Sequence, residues 1–139
     1  MTSRCRSHRR DQGQALVEFS LAITVFLVLV VAVFDLGRGI YTYNGVAEAA
    51  RELGRITATH LGSPVGNSAA TTARLAALQA ITPGLGTPTY ACVDITGAGA
   101  SCASGNYVRV TTTAPYSPVS FLGMLAPVTL GASSTVQIP

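Results

Sequence analysis

One carboxylate stands inside an otherwise apolar stretch near the amino terminus. Glu18 follows Gly13 by five residues and lies near the start of an apolar run that reaches Phe34. A helix rising about 1.5 Å per residue would extend roughly 30 Å from Ala15 to Phe34, which is the thickness of a membrane hydrocarbon core. A carboxylate at the edge of that core is costly unless a cation pairs with it or its side chain reaches the water interface. These are the two alternatives for Glu18.

The three cysteines fall on two sides of the apolar run. Cys5 precedes it, whereas Cys92 and Cys102 follow it. An even pair in an exported segment predicts a disulfide, and the odd thiol then stays in the reducing compartment. Closing a loop of this length contributes on the order of 2–3 kcal/mol. A metal site is the rival interpretation, but neither cysteine has a histidine or a further cysteine near it in sequence.

Other residues capable of chemistry lack partners at a suitable spacing. His8 and His60 are isolated, and no serine is placed with a histidine and an acid in the segment after the apolar run. The glycines at 84 and 86 lack the lysine and the strand-to-helix setting of a phosphate-binding loop. We expect no enzymatic activity, no metal and no cofactor.

The composition is that of a small anchored protein. Of 139 residues, 48% are hydrophobic and 11% charged, and the mean hydropathy is +0.42. The whole net charge of +3 lies in residues 1–13, where four arginines stand against one aspartate. The remainder is neutral and offers no clustered cations, which argues against a nucleic-acid partner.

The same charge asymmetry predicts the orientation of the helix. Arginines directly before an apolar segment stay in the cytoplasm, so the amino terminus is expected inside and everything after Phe34 outside. Arg38 lies on the opposite side from that expected, but Asp35 is three residues earlier on the same helical face and offsets its charge. We therefore predict a single-pass membrane protein with its amino terminus in the cytoplasm.

Composition and periodicity divide the chain into four segments. They are a basic leader at 1–13, a transmembrane helix at 14–36, its continuation outside the membrane at 37–61, and an extracytoplasmic α+β head at 62–139. Gly and Pro after His60 end the long helix, and the glycines at 37, 39 and 45 indicate a weakened stretch or a kink.

Within the head, local signals predict one helix and three strands. The helix covers about 69–81. The first strand begins near Thr89 and includes Ile95. The second begins at Tyr107 and is ended by Pro115. The third runs from about Val128 to Ile138. The residues from Leu122 to Leu125 form a short apolar link. The predicted fold is α+β: a long amino-terminal helix continuing into a small antiparallel sheet.

The helix continuation carries two side-chain patterns. Glu48 with Arg51 and Glu52 with Arg55 are spaced to form i,i+3 ion pairs. A stripe of small residues recurs every four positions from Val46, through 50 and 54 to 58, and permits close packing. The stripe can face the protein's own sheet or the helix of a neighbouring subunit, and both can hold on different faces.

The sequence resembles the TadE-like family of tight-adherence pilus assembly proteins over about residues 12–56. Three motifs and the apolar helix carry the resemblance. The motifs are Gly13-Gln14-Ala15-Leu16-Val17-Glu18-Phe19, Phe34-Asp35-Leu36-Gly37-Arg38 and Ala49-Ala50-Arg51-Glu52-Leu53-Gly54-Arg55. Asp35 stands where the family has Glu, and Leu53 where it usually has Gly.

The resemblance implies a pilin-like fold, a location in the bacterial cytoplasmic membrane, and the processing of a pilin. In similar proteins a prepilin peptidase cuts on the cytoplasmic side after the glycine, which here is the bond between Gly13 and Gln14. Glu18 would then be the fifth residue of the mature chain and would pair with the new terminal amine of an adjacent subunit. That pairing removes much of the cost of two isolated charges near the apolar phase.

The predicted function is that of a minor pilin or pseudopilin in the assembly of a tight-adherence, type IV-like pilus. Its expected partners are the membrane, the prepilin peptidase, other pilin-like subunits and pilus assembly proteins. Two alternatives stay open: a filament-forming subunit, and an uncleaved single-pass protein whose outer domain binds a ligand or partner. Charge and hydropathy alone favour cleavage and an uncleaved anchor equally.

Overall fold

A computed structural model describes residues 4–119 and 126–139, and for residues 4–12 it describes the backbone alone. The first element is α1, Arg4–Thr59, a helix of 56 residues. It is uninterrupted through the three glycines at 37, 39 and 45, where the sequence indicated a weakened stretch. The predicted apolar link at Leu122–Leu125 lies outside the described residues.

The chain forms two compact units, Met1–Gly37 and Arg38–Pro139. In the first unit, large apolar side chains of α1 are exposed, such as Leu16 at 69% and Phe19 at 66%. The stretch Gly13–Thr59 is the one helix among the described residues that is long and apolar enough to cross a membrane. The predicted membrane anchor thus has a helix of suitable length and composition.

The second unit contains a short helix, α2, at Ala69–Ile81, where the sequence predicted one. Ser68 caps its start, because the Ser68 hydroxyl oxygen accepts the backbone N–H of Thr71 at 3.1 Å. At the other end, the N–H of Thr82 donates to the carbonyl of Leu78, and Pro83 cannot continue the helix.

Three antiparallel strands form the sheet: β1 at Thr89–Val93, β2 at Tyr107–Tyr116 and β3 at Val128–Gln137. The order is β1-β2-β3, so the longer β2 is central. Together with α1 and α2 this confirms the α+β fold with a long amino-terminal helix and a small antiparallel sheet.

Two strand boundaries differ from the sequence prediction by more than one residue, whereas β3 ends at Gln137, one residue before the predicted Ile138. Pro115 lies within β2, opposite Thr129, instead of ending the strand. The carbonyl of Thr113 accepts the N–H of Gly86 on the β1 side. Two residues later, the backbone nitrogen of Pro115 faces the same side, because backbone groups of a strand repeat every second residue. Since β1 pairs with β2 only as far as Thr111, no ladder bond is lost at the proline.

The first strand ends at Val93, so Ile95 is not part of it. Ile95 lies in the following turn and is 84% exposed. The reason is Asp94, whose side chain accepts the backbone N–H groups of Thr96 and Ala98. Such local hydrogen bonds turn the chain away from the ladder.

The core of the second unit lies between the α1 residues that belong to it and one face of the sheet. Alternate residues of β2 are fully buried, as its pattern predicts, and they include Val108 and Val110. They join Leu53 and other apolar residues of α1 in one cluster. The small-residue stripe is buried here too: a Cβ on Gly54 would lie 3.1 Å from Cγ2 of Val136 in β3. The stripe therefore packs on the protein's own sheet.

Candidate functional site

The predicted processing and pairing residues lie along one side of α1. Gly13, Gln14 and Glu18, together with Val17 and Leu21, line a single shallow groove on the helix surface. Their spacing of one, four, five and eight residues places them on adjacent turns. All five are exposed, as is Phe19 of the same motif.

Glu18 is the only charged residue between Ala15 and Phe34. Within the side chains described, at 13–119 and 126–139, it has no hydrogen-bond or ion-pair partner. The nearby hydroxyl groups are satisfied inside the helix: Ser20 donates to the carbonyl of Val17 at 2.8 Å, and Thr24 donates to the carbonyl of Ser20 at 2.7 Å. Glu18 is thus the one polar side chain between Ala15 and Phe34 that has no hydrogen-bond or ion-pair partner within the described side chains.

The bond between Gly13 and Gln14 is part of the helix, which begins nine residues earlier at Arg4. A Cβ added to Gly13 would meet nothing within 4 Å. No packing contact with the described residues therefore requires a glycine at this position.

The second motif contacts the sheet through Arg38, the first residue of the second unit. Its guanidinium carbon lies over the ring of Tyr116, 5.9 Å from the ring centroid, within the range of a cation–π interaction. Gly39 lies close by, since a Cβ there would be 3.5 Å from Cζ of Tyr116. Asp35 and Gly37 of this motif belong to the first unit. The partner Tyr116 could not be found from sequence, because it is 78 positions away and carries no special pattern.

The third motif, together with Glu48 directly before it, forms the two expected ion pairs. Arg51 Nη1 lies 3.8 Å from Glu48 Oε2, with both side chains largely exposed, and Arg55 Nη2 lies 3.6 Å from Glu52 Oε2. Ala50, between them in sequence, faces inward and is buried. The motif therefore has one charged and one packed side, as expected of an amphipathic helix.

Glu52 also has a partner that the sequence did not predict. Its Oε1 lies 3.3 Å from Nε of Arg74 in α2, and Glu52 is the more buried of the two. One carboxylate thus bridges two arginines and joins α1 to α2. The one signal in the sequence that could have indicated this pair is that Arg74 is the only lysine or arginine between Ile56 and Val108.

The predicted disulfide is confirmed. Cys92 in β1 and Cys102 are bonded, with their Cα atoms 5.2 Å apart. The bond closes a loop whose first turn is held by Asp94. Asp94 Oδ1 accepts from the hydroxyl of Thr96 at 2.6 Å, the N–H of Thr96 at 2.8 Å and the N–H of Ala98 at 3.0 Å. These bonds, the Thr96 hydroxyl first, lower the pKa of Asp94 below its usual value.

Burial acts on one phenol of the second unit. Tyr90, in β1, packs against Gly66, and its hydroxyl has no hydrogen-bond partner among the described residues. Loss of solvent raises the pKa of the Tyr90 hydroxyl, so the group stays neutral at physiological pH. Its role is packing.

Among the side chains that the structure describes, at 13–119 and 126–139, no group of three or more histidines, cysteines, aspartates or glutamates is arranged to hold a metal ion. The chemically distinctive features of the described chain are therefore the lone Glu18, the ion pairs around Glu52 and the turn at Asp94.

Residues 13–55 match the family described as TadE-like protein. The matched segment begins at Gly13 and ends at Arg55, so it contains Glu18 and all three motifs that carry the resemblance. The resemblance to this family is confirmed over this segment. No match to the chain was found among curated proteins or among solved structures.

Proposed function

We propose that the protein is a minor pilin or pseudopilin that takes part in the assembly of a tight-adherence pilus. It is a structural component and not an enzyme. The observation that carries the proposal is the position of Glu18, which is five residues after Gly13 and has no cation partner in the described part of its own chain. A carboxylate in that setting is best compensated by a cation from another molecule.

The cation is the terminal amine that a prepilin peptidase creates at Gln14 of a neighbouring subunit. The matched segment begins at Gly13, which supports a role for this glycine. Cleavage there requires the helix to open locally around the scissile bond. Gly13 favours that opening, because glycine lowers helix stability by about 1 kcal/mol relative to alanine.

The proposed topology follows the charge distribution. The arginines of the leader stay in the cytoplasm with the peptidase, α1 spans the cytoplasmic membrane, and the disulfide-bonded sheet lies outside, where oxidation is possible. The neighbours of Glu18 along α1, such as Val17 and Leu21, would then lie in the bilayer or against another apolar helix.

Mass spectrometry of the protein purified from its source cells tests the processing step. The expected mature chain begins at Gln14. Gly13→Leu should leave the leader attached. The control is Gly37→Leu, which changes a glycine of the same helix outside the cleavage site and should be processed normally. An intact leader on the unaltered protein would contradict the proposal and favour the uncleaved anchor with a partner-binding outer domain.

Glu18→Gln tests the pairing step, because it removes the charge and keeps the shape. We expect this variant to insert and to be cleaved but to be absent from assembled pili. Glu48→Gln, an exposed charge in an existing ion pair, is the matched control and should assemble. Normal assembly of the Glu18 variant would rule out the pairing role, and the abundance of the protein in sheared filaments distinguishes a minor from a major subunit.

A further inference from the structure

A cleft of about 330 Å³ lies on the outer face of the sheet, opposite to the core. One wall is the turn at 94–97 inside the disulfide-closed loop. The other is formed by Tyr107 and Arg109 of β2 and Thr135 of β3. Arg109 and Thr135 are direct neighbours across the two strands. The cleft lies far along the sequence from the segment that carries the proposed pilus function and does not depend on it.

Arg109 is the cation of this cleft. It is half-buried, and within residues 13–119 and 126–139 it makes no ion pair with any carboxylate. Its Nη2 lies so close to Gly97 that a Cβ there would be 3.0 Å from it. The positive φ of 87° at Gly97 and the absence of a side chain leave room for the guanidinium. A partly desolvated arginine with this planar donor set favours a carboxylate partner.

Asp94 supplies the opposite chemistry. Its Oδ1 already accepts three hydrogen bonds from the turn, whereas its Oδ2 accepts none within the described residues. Since the turn stabilises the ionised form, Oδ2 is an acceptor only, and it repels a bare anion entering the cleft. A ligand that gains from both groups must bring a carboxylate to Arg109 and a donor to Asp94.

The remaining lining fits a ring with hydroxyl groups. Thr135 offers a hydroxyl, Tyr107 offers an aromatic ring with a phenol, and the exposed Ile95 offers an apolar edge. The disulfide and the hydrogen bonds of Asp94 fix the turn before any ligand arrives, which lowers the entropic cost of binding. The volume is at the small end of ligand sites, which suits one sugar residue.

We propose that this cleft binds a carboxylated sugar residue, with its carboxylate on Arg109 and its hydroxyl groups donating to Asp94. The probe is glucuronic acid, with glucose as the neutral counterpart and acetate as the bare anion. Saturation-transfer NMR on the full chain, in micelles of a detergent without a sugar headgroup, should show glucuronic acid binding in preference to both.

Three variants locate the binding. Arg109→Gln should weaken the binding of glucuronic acid by about 10- to 100-fold, since a charge-assisted bidentate contact is lost. Asp94→Asn keeps an acceptor for the turn but removes the charge. It should therefore weaken the binding of glucuronic acid and strengthen the binding of acetate. Gly97→Ala should weaken binding without a change of charge, because its Cβ displaces the guanidinium. Arg74→Gln, the other arginine after residue 55, is the control and should bind normally.

The disulfide and the unfolding midpoint of each variant show that it is folded. Binding of glucose equal to that of glucuronic acid, or full binding by folded Arg109→Gln, would overturn the proposal. Acetate binding as tightly as glucuronic acid would do the same, because the site would then be a simple anion site. If a short peptide with a free carboxyl terminus bound more tightly than glucuronic acid, the sugar proposal would be overturned and the cleft would be a peptide-binding site.

Discussion

The hydroxyl of Thr112 donates to the backbone carbonyl of Val46 at 2.9 Å, joining the centre of the sheet to α1 across 66 residues of sequence. Both residues are fully buried. The contact makes a polar side chain acceptable in the core, because its donor is satisfied by a helix carbonyl. It also fixes the height at which β2 lies against the helix.

Replacing Thr112 with valine should reduce the free energy of unfolding by about 1 kcal/mol, the usual net value of one hydrogen bond, since the shape is retained. The measurement is urea unfolding of the full chain in detergent micelles, followed by tyrosine circular dichroism. Thr113→Val, one residue later on the exposed face, is the control and should change stability little. Equal effects of the two substitutions would show that the buried bond contributes nothing specific.

Enlarging Gly54 should separate α1 from β3. Its Cβ alone would lie 3.1 Å from Val136 and 3.4 Å from the hydroxyl of Ser134. We expect Gly54→Leu to destabilise the second unit by about 1–3 kcal/mol through overpacking, in spite of its better helix propensity. Gly37→Leu has open space around it and should not destabilise. Unchanged unfolding of Gly54→Leu would mean that helix and strand separate easily.

Removing the disulfide by the double change Cys92→Ser and Cys102→Ser should lower the free energy of unfolding by on the order of 2–3 kcal/mol. The reason is the larger conformational entropy of the unlinked unfolded chain. Urea unfolding with and without a reductant measures it. In the double variant the reductant should have no further effect, and Cys5→Ser should behave as the unaltered protein. A reductant effect that persists in the double variant would contradict this assignment.

The turn at Asp94 should depend on pH. Its hydrogen bonds lower the folded-state pKa, so the ionised form stabilises the turn above the pKa of the unfolded chain. That stabilisation should be lost as the pH falls through the lowered pKa. The amide signals of Thr96 and Ala98 in NMR should therefore titrate with a midpoint below the ordinary value of 3.8.

Asp94→Asn is the control for this titration, since its amide oxygen can still accept from the turn but does not ionise. Its Thr96 and Ala98 signals should not move over the same pH range. A midpoint at or above the ordinary value in the unaltered protein would mean that the turn does not stabilise the charge.

The sequence predicted the elements whose signals are local. Alternating residues such as Val108 and Val110 mark a strand with one buried face, and Pro83 marks the end of a helix. These patterns depend on neighbours along the chain, and the structure has the elements close to where they were expected. Pro115 is the instructive exception: whether a proline ends a strand depends on which side of it is paired, and this is a property of the sheet.

By itself, the sequence determined the apolar helix with its single acid, Glu18, and the cysteines available for a disulfide outside it. Only the tertiary structure decided that Glu52 reaches Arg74, that Arg38 lies over Tyr116, and that Arg109 shares a cleft with the turn after β1. The physical reason is range. Helical and strand periodicity act over a few residues, whereas contacts between elements are set by the register and packing of the whole core.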